Sequence, residues 1–252
     1  MGEFMMLGAY LYFTANVLLG LAWPAAVLIA LVGAALSALA VERLVLRPLV
    51  GQPTIALVMA TIGLASVIHG SVTMIWGADQ MALEPILPRK PIQIGEALVP
   101  GQLAWGFLLA AIIFGGFLLY FRFARGGIAM RATASDPQTA MSIGIDAPRS
   151  YAATWVLSAL TATVAGILVG TMTNVSPGLG QVGLGVIAVV ILGGMDSLTG
   201  AIVAGLIIGW LESLTVALLG SGVRDIVPYA AVLLIMMARP YGLFGTPDIE
   251  RL

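Results

Sequence analysis

Few residues in this chain could do chemistry. His69 is the one histidine in 252 residues and there is no cysteine, so a thiolate nucleophile, a disulfide and a metal site rich in Cys or His have no groups to be built from. The serines nearest His69, Ser66 and Ser71, have no acid beside them in sequence that would complete a Ser/His/Asp set. Paired carboxylates spaced for acid/base work are absent, and no G-x-x-x-x-G-K-[ST] phosphate loop surrounds the lone Lys90. No catalytic residue, metal or bound cofactor is therefore expected, and the chain is not itself an ATPase. Inside the apolar stretches there remain His69 and Glu212, with Asn16 as a neutral polar group. Ionisable groups at membrane depth point to a translocation pathway. The plainer readings stay open: an interhelical donor for His69, and for Glu212 a carboxylate reaching a water-filled or headgroup region.

The elements that must hold these residues follow from composition. Hydrophobic residues make up 60% of the chain and charged ones 9%, against about 25% charged in a soluble domain, so this is a membrane protein. A balance of 11 basic and 12 acidic residues offers no field to attract nucleic acid. The opening MGEFMMLGAY carries Glu3 and no basic stretch, unlike a cleaved signal peptide.

A bilayer crossing needs about 20 mostly apolar residues. Such stretches fall at 4–20, 24–41, 54–76, 101–121, 151–172, 182–194, 198–219 and 226–238. The fold expected is an all-α polytopic transmembrane bundle with about eight segments. Basic residues favour the cytoplasmic side. Arg43, Arg47, Arg122, Arg125, Arg131, Arg149, Arg239 and Arg251 share one side of this topology, and only Arg89, Lys90 and Arg224 take the other. Both termini and the 122–150 loop are thus expected in the cytoplasm, with Trp23, Trp76 and Trp105 at outer helix ends, where indole rings favour the headgroup layer. Gly166 with Gly170, and Gly205 with Gly209, repeat at four-residue spacing and suit close helix packing.

The polar run ASDPQTAMSIGID at 134–146 reads as a short capped helix. Ser135 or Asp136 can cap it, Pro137 suits its first turn, Gln138 completes a Ser-x-x-Gln box and Gly144 can end it. Ala140, Met141 and Ile143 give it an apolar stripe, which would pack on another protein or lie in the headgroup layer.

One set of segments runs along nearly the whole chain: GEFMMLGAY at 2–10, ERLVLRPLVG at 42–51, ATIGLASVIHG at 60–70, IWG at 75–77, AMRATASDPQTAMSIGID at 129–146, LGGMDSLTGAIVAG at 192–205 and RPYGLFG at 239–245. In their order and spacing they resemble the permease subunits of the branched-chain amino acid family of bacterial ABC importers, of the first of its two permease types. The resemblance implies a non-catalytic translocation subunit in the bacterial inner membrane, importing branched-chain or other small amino acids. It further implies that a cytoplasmic loop with an Ala-x-x-x-Gly-Ile pattern docks on an ATPase. Here that pattern is Ala140, Gly144 and Ile145, preceded by Arg131 and Ala132, in the helix that holds Asp136, Pro137 and Met141. The implied partners are a second permease, two ATPase subunits that bind ATP and magnesium, and a periplasmic substrate-binding protein. Family members carry a further hydrophobic segment ahead of a His-Gly-Glu sequence, where this chain has Met1-Gly2-Glu3. The expectation is a single permease domain over 1–252 that lacks the family's first helix. The competing reading is a stand-alone facilitator or secondary carrier of small polar solutes such as urea or amides. Against it stand the shortage of ionisable groups for ion coupling and the docking helix, which such a carrier would not need.

Overall fold

The computed structural model describes residues 1–95, 97–239 and 241–245. Ten helices follow one another among these residues: α1 (Gly2–Phe13), α2 (Trp23–Val41), α3 (Thr54–Trp76), α4 (Gly101–Phe123), α5 (Arg125–Ser135), α6 (Pro137–Ser142), α7 (Ala147–Thr173), α8 (Leu179–Gly193), α9 (Leu198–Leu219) and α10 (Val227–Ala238). Proline sets several starts, just before α3 and α4 and within the first turn of α2, α6, α7 and α10, where its missing N–H costs nothing. Each of the eight apolar stretches lies on a helix. Five are long and apolar enough to cross a membrane: Trp23–Leu49, Ile55–Trp76, Gly101–Phe123, Ala147–Thr173 and Leu198–Leu219. α1, α8 and α10 are shorter. The architecture is an all-α polytopic one, with a small antiparallel hairpin, β1 (Ile92–Ile94) and β2 (Ala97–Val99), that no alternation in the sequence announces.

The chain forms two compact units, Met1–Gly180 and Gln181 onward. At the centre of the first lies α1, with Phe4, Met5, Met6, Ala9, Tyr10, Tyr12 and Phe13 all buried. A helix apolar on every side belongs in a core. It packs on α2, α3 and α7. On α2 a row of alanines four residues apart, Ala26, Ala30, Ala34 and Ala38, is fully buried, and Ala26, Ala30 and Ala38 pack with side chains of α1. On α7 the small residue is Gly166, where a side chain would run into the backbone of Met5. In return, Gly8 of α1 faces Thr163 of α7, a Cβ there coming within 2.5 Å of the Thr163 hydroxyl. Gly170 leaves room for Val175 and Leu83, and the loop after α7 is tied to the one after α3 by paired Met81 and Val175 backbone bonds of 2.8 Å.

Both α1 and α2 unwind into a π turn, at Thr14–Leu18 and Glu42–Leu46. The second places Glu42 at 2% exposure, held by Arg47 through Nε at 3.2 Å and a guanidinium NH2 at 3.4 Å. At the end of α3 the Trp76 indole N–H donates to the Thr14 hydroxyl at 2.8 Å and the ring lies 5.3 Å from that of Tyr10, which ties α3 to the end of α1.

In the second unit Leu192, Ala204 and Ile208 form a core with Val189, Ala231, Val232 and Ile235. Segments 192–205 and 239–245 meet there. Leu243 and Phe244 donate backbone bonds to Leu192 and Gly193 at 2.9 and 3.1 Å, and Gly193, Gly194, Gly200 and Gly242 sit where any Cβ would strike backbone. Ser197 caps α9, its hydroxyl accepting from the Gly200 amide at 2.9 Å. The two glycine pairs differ. Gly166 and Gly170 are packed, whereas Gly205 only approaches Val189 and Gly209 has no neighbour within 4 Å among the described residues. Gly166→Ala is accordingly expected to destabilise the isolated chain by about 1–3 kcal/mol through overpacking, and Gly209→Ala to stay within about 0.5 kcal/mol, as read by thermal unfolding in mild detergent.

Candidate functional site

The 122–150 loop is more ordered than one short helix. Its first half is α5, whose glycines at 126 and 127 and low apolar content hide it from a periodicity reading. Gly127, Met130 and Thr133 make its buried face, three residues apart as one face of a helix requires. Arg131 lies exposed on the opposite side and Ala132 is half-buried.

The joint to α6 turns on Asp136. Its backbone is extended, φ −154° and ψ 102°, which swings the carboxylate over the next turn. There Oδ1 accepts from the Gln138 and Thr139 amides at 2.9 and 3.1 Å, and Oδ2 from the Thr139 hydroxyl at 2.5 Å. This corrects the Ser-x-x-Gln box. Ser135 is still helical and its hydroxyl donates back to the Arg131 carbonyl at 3.1 Å, so it closes α5, and the cap of α6 is Asp136 alone. Pro137 follows in the first turn. At the other end Gly144 takes φ +89°, and the amides of Gly144 and Ile145 bond the carbonyls of Met141 and Ala140, both at 3.0 Å. That pair is a Schellman closure, which needs a residue free to adopt positive φ. α7 starts directly afterwards on a cap from Asp146, whose Oδ1 accepts from the Arg149 amide at 3.1 Å.

α6 is therefore clamped at both ends, and its faces divide cleanly. Ala140 is buried at 2% exposure against its own chain, while Met141 and Ile143 stand 51% and 71% exposed. Ala140 fixes the helix in place; the apolar surface offered outward is Met141 and Ile143. Ile145 is half-buried.

The two ionisable residues of the apolar stretches, His69 and Glu212, fall into two separate pairs. His69, in the last third of α3, presents Nδ1 to Oε2 of Glu3 at 3.7 Å. No sequence cue joins these two, since Glu3 reads only as an acid near the start of the chain. Ser66 and Ser71 bond carbonyls of their own helix at 3.2 and 2.7 Å and take no part. In the second unit Glu212 accepts from Nε of Arg224 at 3.2 Å, so this carboxylate is charge-paired. Asn16 spends its amide on the Leu21 carbonyl at 3.0 Å.

A multi-pass membrane protein with a clamped, apolar-tipped helix outside its long apolar ones is the class this arrangement defines. Residues 1–237 match the family model described as branched-chain amino acid transport system / permease component, and the chain belongs to that family. Among curated relatives, the high-affinity branched-chain amino acid transport system permease protein BraD of Pseudomonas aeruginosa is 27% identical over 99% of this chain and 86% of its own length. LivH of Escherichia coli K12, a permease protein of the same description, is 29% identical over the same shares. A probable LivH from Methanocaldococcus jannaschii is 29% identical over 55% of this chain and 46% of its own. No solved structure matches.

The cap has a pH signature. The Thr139 hydroxyl, with the Thr139 and Gln138 amides, holds the Asp136 carboxyl below the ordinary aspartate value. A carboxylate with a depressed native pKa contributes its stability above the unfolded value, about 3.9, and loses it as pH falls through the lower native one. Protection of the Gln138 and Thr139 amides from hydrogen exchange, corrected for intrinsic rates, is thus expected to hold from neutral to mildly acidic pH and to fall only in stronger acid. Asp136→Ala should lose it at every pH.

Proposed function

We propose that this chain is the translocation-pathway subunit of an ATP-driven importer of branched-chain or other small amino acids in a bacterial inner membrane. The observation that carries the reading is α6: a helix clamped at both ends that turns Met141 and Ile143 outward, in a chain of the branched-chain amino acid permease family. Two exposed apolar side chains on a rigid support suit insertion into a groove of another protein. In this reading the groove belongs to an ATPase subunit, and its nucleotide-driven closure biases the permease between outward-open and inward-open states. ATP and magnesium are held by two such ATPase subunits, a second permease completes the membrane part, and a periplasmic binding protein delivers the solute. Arg131, Ala132, Asp136, Pro137, Ala140, Gly144 and Ile145 build and support the coupling element. In this reading the excess of arginines flanking α6 puts that loop on the cytoplasmic side.

Purification of the tagged chain from native membranes in mild detergent tests this. ATPase subunits are expected to accompany it, and Met141→Glu with Ile143→Glu should reduce their recovery about tenfold or more, the scale of losing interface anchors, without lowering the chain's own unfolding temperature. A chain that is stable and active alone would instead be a facilitator. Within the second unit, Glu212 faces the outer half of the path in this reading. Glu212→Gln is expected to lower uptake several-fold, and unchanged uptake would remove Glu212 from the pathway.

A further inference from the structure

Glu3 occupies an unusual place for a carboxylate. It is the acidic side chain of α1, the most deeply packed helix of the first unit, so its position is fixed by the contacts of Phe4, Met5 and Met6 beside it. One oxygen, Oε2, is buried and has no hydrogen-bond partner among the described residues. The imidazole facing it is 3.7 Å away, outside the 2.7–3.2 Å range of an N–H···O bond. A buried acceptor left unmade is costly, and ionisable groups are seldom kept inside membrane helices without use.

Gly180 packs directly against the carboxylate: a Cβ there would stand 2.9 Å from Oε1 and 3.3 Å from Oε2, so a larger residue would push the carboxylate from its place. The Glu3 side chain keeps 20% of its surface exposed and that of His69 44%, which leaves an edge by which a solute can arrive. The chemistry of the occupant is narrow. Among the described residues no set of three His, Cys, Asp or Glu could hold a metal ion, and His69 is the one side chain within ion-pair distance of Glu3. One carboxylate backed by an imidazole matches a single monovalent N–H donor.

We propose that Glu3 is a solute-binding residue whose carboxylate receives the ammonium group of a zwitterionic amino acid on its way through the permease, with His69 as the positioning residue that faces its second oxygen and Gly180 as the residue whose missing side chain lets the carboxylate keep its place. The proposal rests on the importer reading above and names the recognition element within it.

The test uses the complete importer in vesicles, with binding protein and ATPase subunits, and labelled L-leucine as probe. Glu3→Gln keeps the shape and removes the charge. It should cut leucine uptake roughly tenfold to a hundredfold, the value of a hydrogen bond to a charged group, while ATP hydrolysis evoked by the loaded binding protein stays within about twofold. Infrared difference spectra of the native permease should show a carboxylate band that shifts on adding L-leucine, stays still with 4-methylpentanoate, which has the same side chain and no ammonium group, and is missing in Glu3→Gln. A purely structural acid would show no such ligand dependence. Leucine uptake by Glu3→Gln within twofold of native, or a carboxylate band indifferent to leucine, overturns the subsite and leaves the importer reading standing. Where Glu3→Gln does not assemble, the spectra of the native permease decide alone. A native complex that hydrolyses ATP and takes up no amino acid overturns the importer reading, and the subsite with it.

Discussion

Everything in the first unit depends on how closely α1 can approach its neighbours. Within lipid, apolar side chains gain little by leaving the hydrocarbon for one another, so helices associate through close van der Waals contact and need small residues where backbones meet. Gly166 beneath Met5, Gly8 opposite Thr163 and the four buried alanines of α2 supply that closeness. Their effect reaches beyond packing. With α1 held on three sides, Tyr10 and Thr14 stand where Trp76 can meet both, which fixes the end of α3, and Glu3 is fixed opposite His69. A looser α1 would leave neither pair defined.

The membrane-facing architecture was largely legible in the sequence, because a helix long enough to cross a bilayer leaves an unbroken apolar stretch and prolines mark where several of them start. The packing was half legible. Gly166 and Gly170 stand out as glycines, whereas Ala26, Ala30, Ala34 and Ala38 repeat at the same spacing without contrast, alanine being common in any apolar helix. Gly205 and Gly209 show the converse: the spacing is there, but Gly209 meets open space. α5 was hidden by its glycines and by a polar composition that a periodic reading assigns to loop.

At the candidate sites the division follows sequence distance. The existence of a capped α6 could be read locally, since Pro137 and Gly144 are punctuation whose meaning depends on a few neighbours. Which residue caps it could not, because Ser135 and Asp136 are both competent and the choice lies in a backbone that stays helical at one and turns extended at the other. Glu3 and His69 meet only through the tertiary packing of α1 on α3. Segments 192–205 and 241–245, conspicuous in the sequence, turn out to be glycine-lined contacts between the α8–α9 junction and the turn after α10. Their backbones serve the fold of the second unit.

The two ends of α6 also determine how it can transmit a displacement. Six residues of helix span about 9 Å, too short to bend appreciably, and Ala140 pins the rod near its middle. Any tilt must be taken up at its ends: the extended bond pair at Asp136, and the positive-φ hinge at Gly144. In the proposed coupling role, motion applied at Met141 would pass into α5 on one side and α7 on the other as rotation about two pivots, and α7 is the helix whose Gly166 rests on the backbone of α1. The lever is short, and it reaches the core of the first unit through a single intervening helix.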